Sequence, residues 1–304
     1  MDQRHSLGNR PVTRIKGGNM RKKIILSVTT LICIILLVIG GAVLWMRHRT
    51  IPETADRSNS IPTLYVHGWG AGARSTNSMI HYAEQYNDAK KVLTATISPE
   101  GKVSFSGYWP ASAKRPLIQV ISVDNKYYNY KVTQKWFGNV LQKLQKDYHI
   151  KRYNTVSHSM GNLTTMYYQV TNGQNKQLPA LQKQVNIAGH FDGIVGIDDK
   201  PNQNLLQKNG APKIQDSNFK YLNNHRQGYP KKQVDVLNIF GNLQDGSNSD
   251  GDVTVVSAKS LKYLLRDRYK DYQELEISGK KGQHSQLHEN TRVDRAIGKF
   301  LWQK

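Results

Sequence analysis

The chemistry of this chain is concentrated in a few short blocks, and the first is Val156-Ser157-His158-Ser159-Met160-Gly161. An apolar run leads into S-x-S-x-G and a helical pattern follows, which is the arrangement of a nucleophile elbow with its first glycine replaced by serine. So tight a turn demands small residues two positions either side of the nucleophile, and Ser157 and Gly161 meet that demand. The turn would lift the Ser159 hydroxyl clear of a strand's C-terminal edge, and the following helix would aim its N-terminal N–H groups and positive dipole end at the same point. The Met160 N–H is then one candidate oxyanion donor. A second glycine-rich block, His67-Gly68-Trp69-Gly70-Ala71-Gly72, directly follows the first predicted strand of the domain and supplies the Trp69 N–H as the other. Two such dipoles, already pointing where negative charge develops, are worth a few kcal/mol each in acyl transfer. Without chemistry, both blocks would be ordinary small-residue turns.

Three blocks together, HGWGAG, VSHSMGN and the C-terminal pair SDGDVTVVSAKSLKYLL and QHSQLHEN, resemble the α/β-hydrolases, and specifically the cell-surface hydrolases of low-GC Gram-positive bacteria grouped as DUF915. The resemblance covers roughly residues 61–304. It implies the chain order nucleophile, acid, histidine, which Ser159, Asp250 and His284 follow. Asp250-Gly251-Asp252-Val253 resembles the D-G-x-V turn in which bacterial lipases place the acid, giving Asp250 the task of orienting the imidazolium. Asp252 competes for that task and Asp245 trails. His284 stands where the family's base sits, before the last helix, with His288 as the alternative. His158 reads as a packing residue, while His190 or Asp192 could border the pocket. A calcium loop built on Asp245, Asp250 and Asp252 is disfavoured because the spacing does not match an EF-hand.

The elements that must position these residues read as alternating strands and helices, the signature of a mostly parallel sheet with helices on both faces. Strands are expected at TLYV, KVLTATI and KVSFSGYW (joined by the turn Ser98-Pro99-Glu100-Gly101), PLIQVISV, and residues 153–156, 184–188, 234–240 and 272–277. Helices are expected around Trp136 to Leu144, 163–170, 257–268 and 291–302. The polar stretch 191–230 is too long for a plain connection and suggests a cap over the site, or else an unstructured insertion.

Residues 24–46 carry no charge and would span about 34 Å as a helix, enough to cross a bilayer. No small-residue cleavage site follows, so a retained signal anchor is favoured over a cleaved signal peptide. Arg10, Arg14, Lys16, Arg21, Lys22 and Lys23 precede the run while only Arg47 and Arg49 closely follow it, which places the basic segment 1–23 in the cytoplasm and the domain outside. Residues 47–60 read as a polar tether and 61–304 as the hydrolase domain. Cys33, the one cysteine, falls inside the apolar run, leaving no disulfide or thiol chemistry to the domain.

The net charge of +21 would suit a nucleic-acid binder, but nine of the basic residues flank the apolar run and the rest are scattered without stacking aromatics. A basic face against an anionic membrane or cell-wall polymer suits them better, and a plain solvated surface is favoured over either. No P-loop, dinucleotide fingerprint or H-E-x-x-H is present, so neither a cofactor nor a metal is expected. The expected activity is acyl-ester hydrolysis, with short to medium chains as first choice. The alternatives are a lipase or an acyltransferase with the same triad, or a non-catalytic surface protein that binds anionic polymer.

Overall fold

The computed structural model describes residues 34–36 and 56–303. The chain divides into two units, residues 1–51 and 52–304. In the first, only Ile34, Ile35 and Leu36 are described, and they are helical. The predicted segment 1–23, the rest of the predicted span 24–46 and residues 47–55 of the predicted tether therefore lie outside the described residues. Among the described residues no helix is long and apolar enough to cross a membrane.

The second unit is built on one sheet of eight strands in the order β3-β2-β4-β1-β5-β6-β7-β8. β1 (Thr63–Val66), β2 (Ala89–Ile97), β4 (Arg115–Ser122), β5 (Arg152–His158), β6 (Ala180–Ile187), β7 (Asp235–Asn242) and β8 (Asp271–Ser278) run parallel. β3 (Val103–Gly107) turns back antiparallel on β2 at one edge. All four residues of β1 are buried, as expected of a central strand covered on both faces. Its side chains alternate, Leu64 and Val66 entering one apolar cluster and Tyr65 the other, the period of two that pleating imposes.

Helices cover both faces. α1 (Arg74–Tyr86) and α6 (Thr291–Trp302) pack on one side through Met79, Ile80, Val293, Ile297 and Leu301. α2 (Tyr130–Tyr148), α3 (Met160–Asn172), α4 (Ser217–His225) and α5 (Val255–Leu264) contribute to the other through Phe137, Leu141, Leu163, Phe219 and Leu261. Each fully buried leucine or phenylalanine is worth about 1.5–3 kcal/mol, so these stripes are what hold helices to sheet.

Two helices were not anticipated. α1 offers only Met79, Ile80 and Ala83 as buried apolar residues, beside buried Ser75 and Thr76, too thin a stripe to register as a helical period. α4 buries only Phe219 and Leu222, under an N-cap in which Asp216 accepts from the Phe219 N–H at 2.6 Å. It occupies part of the polar stretch 191–230 and lies beside α3, with Tyr221 stacked on Tyr167. The helix expected at 257–268 starts earlier, capped by Thr254, and ends at Leu264.

Candidate active site

β5 drives through the middle of the sheet and the chain reverses into α3 at Ser159. That residue has φ 50° and ψ −121°, a conformation costing a non-glycine residue on the order of 1–3 kcal/mol. Four hydrogen bonds hold it there. The Ser159 N–H donates to Ile187 O at 2.9 Å, and the Asn162 N–H donates back to Ser159 O at 2.9 Å. The Asn162 side-chain amide donates to both carbonyls, at 3.0 Å to Ser159 and 2.9 Å to Ile187. The crowding is visible at Gly161, where an added Cβ would stand 2.8 Å from both Val66 O and His67 O.

The loop after β7 carries Asp250, and His284 opens a 3₁₀ turn (His284–Glu289) after β8. Their backbones are fastened by the His284 N–H donating to Asp250 O at 2.9 Å. Their side chains continue the connection, with His284 Nδ1 2.9 Å from Asp250 Oδ2 and His284 Nε2 2.9 Å from Ser159 Oγ. An ionised carboxylate can only accept, so Nδ1 carries the ring proton and Nε2 is left to accept from the serine hydroxyl. The second oxygen of Asp250 accepts the N–H groups of Asp252 and Val253 at 2.9 and 2.7 Å. The structure thus brings Ser159, His284 and Asp250 into one chain of hydrogen bonds.

The competing residues lie elsewhere. The Asp252 side chain is 61% exposed and its nearer oxygen is 3.9 Å from His284 Nε2. Asp245 caps the Ser247 N–H at the surface. His288 has Nδ1 3.3 Å from Glu289 Oε1 and sits edge-on against His158 at 4.7 Å. His158 fills the space between the other two histidines and its Nε2–H donates to His284 O at 3.2 Å, so it steadies the backbone under the His284 ring. Among the described residues no group of three or more His, Cys, Asp or Glu is placed to hold a metal ion.

Electrostatics separate these histidines. Burial alone would lower the pKa of His284, but its hydrogen bond to Asp250, the charge of Asp250 and the charge of Asp252 together raise it. His158 is pushed well down by burial and then by the neighbouring histidines. His288 is also lowered, by burial, against the opposing pull of Glu289.

The glycine loop after β1 is clamped to the loop after β4. His67 Nε2 accepts the Ser122 N–H at 3.0 Å, so its Nδ1–H donates to Gly68 O at 2.8 Å. The Trp69 indole N–H donates to Lys126 O at 2.9 Å, and the Gly70 N–H to Asn125 O at 2.8 Å. Gly68 lies against Ser159, since a Cβ there would come within 2.9 Å of Ser159 Cβ. Neither the Trp69 nor the Met160 N–H has an acceptor among the described residues.

His190 borders the site. Its Nε2 is 2.9 Å from Tyr130 OH and its buried Nδ1 has no partner among the described residues. Burial, with the charge of His284 second, lowers its pKa to about 3. Asp192 instead braces the chain from 191 to 216, accepting from Asn204 Nδ2 and the Asp216 N–H at 2.9 Å each. Burial raises its pKa to about 7. The same stretch ties onto the acid-bearing loop through Val195 N–H to Asp252 O and Thr254 Oγ1 to Asp199. Sequence reasoning missed Asn162, although it closes the VSHSMGN block, and Tyr130, which no local pattern marks.

The model of a family described as α/β hydrolases of unknown function, DUF915, matches residues 51–304. Among solved structures, the product of a Listeria innocua gene is 26% identical and superposes with a TM-score of 0.73, over 80% of this chain and 94% of that one. A candidate cell surface hydrolase from Lactobacillus plantarum is 21% identical with a TM-score of 0.63, over 80% and 90% of the two chains, and shares the fold. No curated protein is similar to the chain in sequence.

Proposed function

The chain belongs to the DUF915 family of α/β hydrolases, and from that premise we propose that it is a serine esterase acting on short to medium acyl esters through an acyl-enzyme on Ser159. One observation carries the reading, the unbroken hydrogen-bonded chain from Asp250 through His284 to Ser159. In the reaction Ser159 Oγ attacks the ester carbonyl as its proton passes to His284 Nε2. Asp250 keeps the ring in the tautomer that can accept and stabilises the imidazolium that forms. The N–H groups of Trp69 and Met160 receive the charge developing on the carbonyl oxygen. The imidazolium then protonates the departing alcohol, and a water, deprotonated by the same nitrogen, releases the acid and restores the hydroxyl.

Hydrolysis of p-nitrophenyl esters over a range of acyl lengths, beside labelling by a fluorophosphonate, tests this. Turnover and labelling that both vanish in Ser159→Ala, with the fold intact, are the expected result. A folded wild-type protein with neither would move the reading to a non-catalytic surface protein.

The uncharged run 24–46 and the excess of basic residues before it support a further part of the proposal, a single-pass membrane anchor with the domain on the outer side. Protease treatment of intact cells should then release the domain, and full protection would overturn the orientation.

A further inference from the structure

Seven strands of the sheet are parallel, so their first residues share one edge and their last residues the other. Ser159 follows β5, Asp250 follows β7 and His284 follows β8, which sets the site at the C-terminal edge. The chain joins the domain at the opposite edge, where Thr63 opens β1. Just before it, Arg57 is fixed at that edge, its N–H donating to Tyr148 O at the end of α2 and its guanidinium to Trp109 O, both at 2.9 Å.

That N-terminal edge carries more basic than acidic residues, although Asp56, Asp88, Asp267 and Asp271 are exposed there too. Lys114, Lys151, Arg152, Lys231, Lys232 and Lys270 lie at the starts of strands or in the turns just before them, and all are exposed. Lys114 and Lys270 pair with Asp88 and Asp235, while the other four have no ion pair among the described residues. A cleft of about 720 Å³ between Ser60, Arg115, Lys183 and Trp302 opens on the same edge. In the loops that follow the strands at the other edge the signs are mixed, with Asp124, Asp198 and Asp252 set against Lys126, Lys200, Lys280 and Lys281.

We propose that the basic edge docks on an anionic phospholipid surface and holds the mouth of the site away from the bilayer. The substrate is then a soluble or wall-borne ester and not a lipid beside the chain's own anchor. This rests on the anchor proposed for residues 24–46. With that edge against the surface, its unpaired lysines and Arg152 meet the anionic headgroups. Such attraction fades within about 8 Å at physiological ionic strength, so it acts only when the edge lies against the surface.

The test uses the full chain with Cys33→Ser, reconstituted into phosphatidylcholine bilayers with or without phosphatidylglycerol and carrying a headgroup-linked quencher. A fluorophore is placed at Gln177→Cys, exposed before β6 at the basic edge, or at Tyr128→Cys, exposed at the mouth. The expected result is several-fold stronger quenching at Gln177→Cys in the anionic bilayer. That difference should shrink in neutral lipid, in high salt, and when Lys151, Arg152, Lys231 and Lys232 are all changed to Glu. Stronger quenching at Tyr128→Cys, quenching at neither position, or indifference to lipid charge would each overturn the proposal. Failure of the esterase reading would leave this optical result untouched, since no turnover is measured.

Discussion

Replacing Asp250 by Asn should cost far more than replacing Asp252 by Asn, although the two aspartates are two residues apart. In Asp250→Asn the side-chain oxygen is claimed by the N–H groups of Asp252 and Val253, now 2.9 and 2.7 Å from Asp250 Oδ1. The amide nitrogen must therefore take the place of the oxygen that stands 2.9 Å from His284 Nδ1. Donor would face donor unless the ring moved its proton to Nε2, and in that tautomer it cannot accept the Ser159 proton. A wrong tautomer in an otherwise intact triad costs roughly 10⁴ in kcat, or about 5.4 kcal/mol at 1.36 kcal/mol per decade. Asp252→Asn removes only an exposed charge 3.9 Å from Nε2, worth about 1 kcal/mol in a water-like dielectric and less with salt. It should leave kcat within about an order of magnitude. Steady-state kinetics of both variants on one chromogenic ester, with fluorophosphonate labelling as a second readout, decides the matter. Comparable losses in the two, or near-normal turnover in Asp250→Asn, would refute the assignment of the acid.

The remaining predictions concern the same loops and the core beneath them. Because His284 must be neutral to act as base and its pKa is raised above 6.5, kcat/KM should fall as pH drops through a midpoint above that value. Asp252→Asn should move the midpoint to lower pH. Gly68→Ala should lower kcat by about 10² through displacement of the nucleophile, because its Cβ would stand 2.9 Å from Ser159 Cβ and 3.1 Å from His158 Nδ1; circular dichroism should show the fold retained. Asp294, in the first turn of α6, is buried with one carboxyl oxygen unpartnered among the described residues, and burial, reinforced by Glu289, raises its pKa to about 7 from 3.8. The unfolded chain loses that proton near pH 4 and the folded chain only near pH 7, so wild-type stability falls as pH rises across that window. Asp294→Asn should therefore melt higher than wild type at pH 8, with the gap closing toward pH 4.

What the sequence made legible follows from where the physical signal is local. The elbow announces itself because one turn forces small residues at 157 and 161 around a half-buried serine, and α6 because Val293, Ile297 and Leu301 repeat on one face over a full helix. The sheet of mostly parallel strands was readable from apolar runs that alternate with helices. α1 and α4 were not, because each rests on two or three apolar side chains and is held by the surface it covers more than by its own pattern. Asp250 and Asp252 could not be separated by composition at all. Both follow a predicted strand and both precede Val253, and what distinguishes them is that one is 1% exposed with both oxygens occupied while the other is 61% exposed.

The same limit explains why the opposed edges of the domain were invisible in one dimension. Lys151, Arg152, Lys231 and Lys232 look scattered along the chain, and a scattered charge reads as solvated surface. A parallel sheet converts scatter into order, because every strand start lands on one edge however far apart the starts lie in sequence. The residues that could do chemistry are gathered by the complementary rule, at the strand ends. A chain that enters such a sheet through its first strand is therefore fixed at the edge opposite the strand ends where those residues gather.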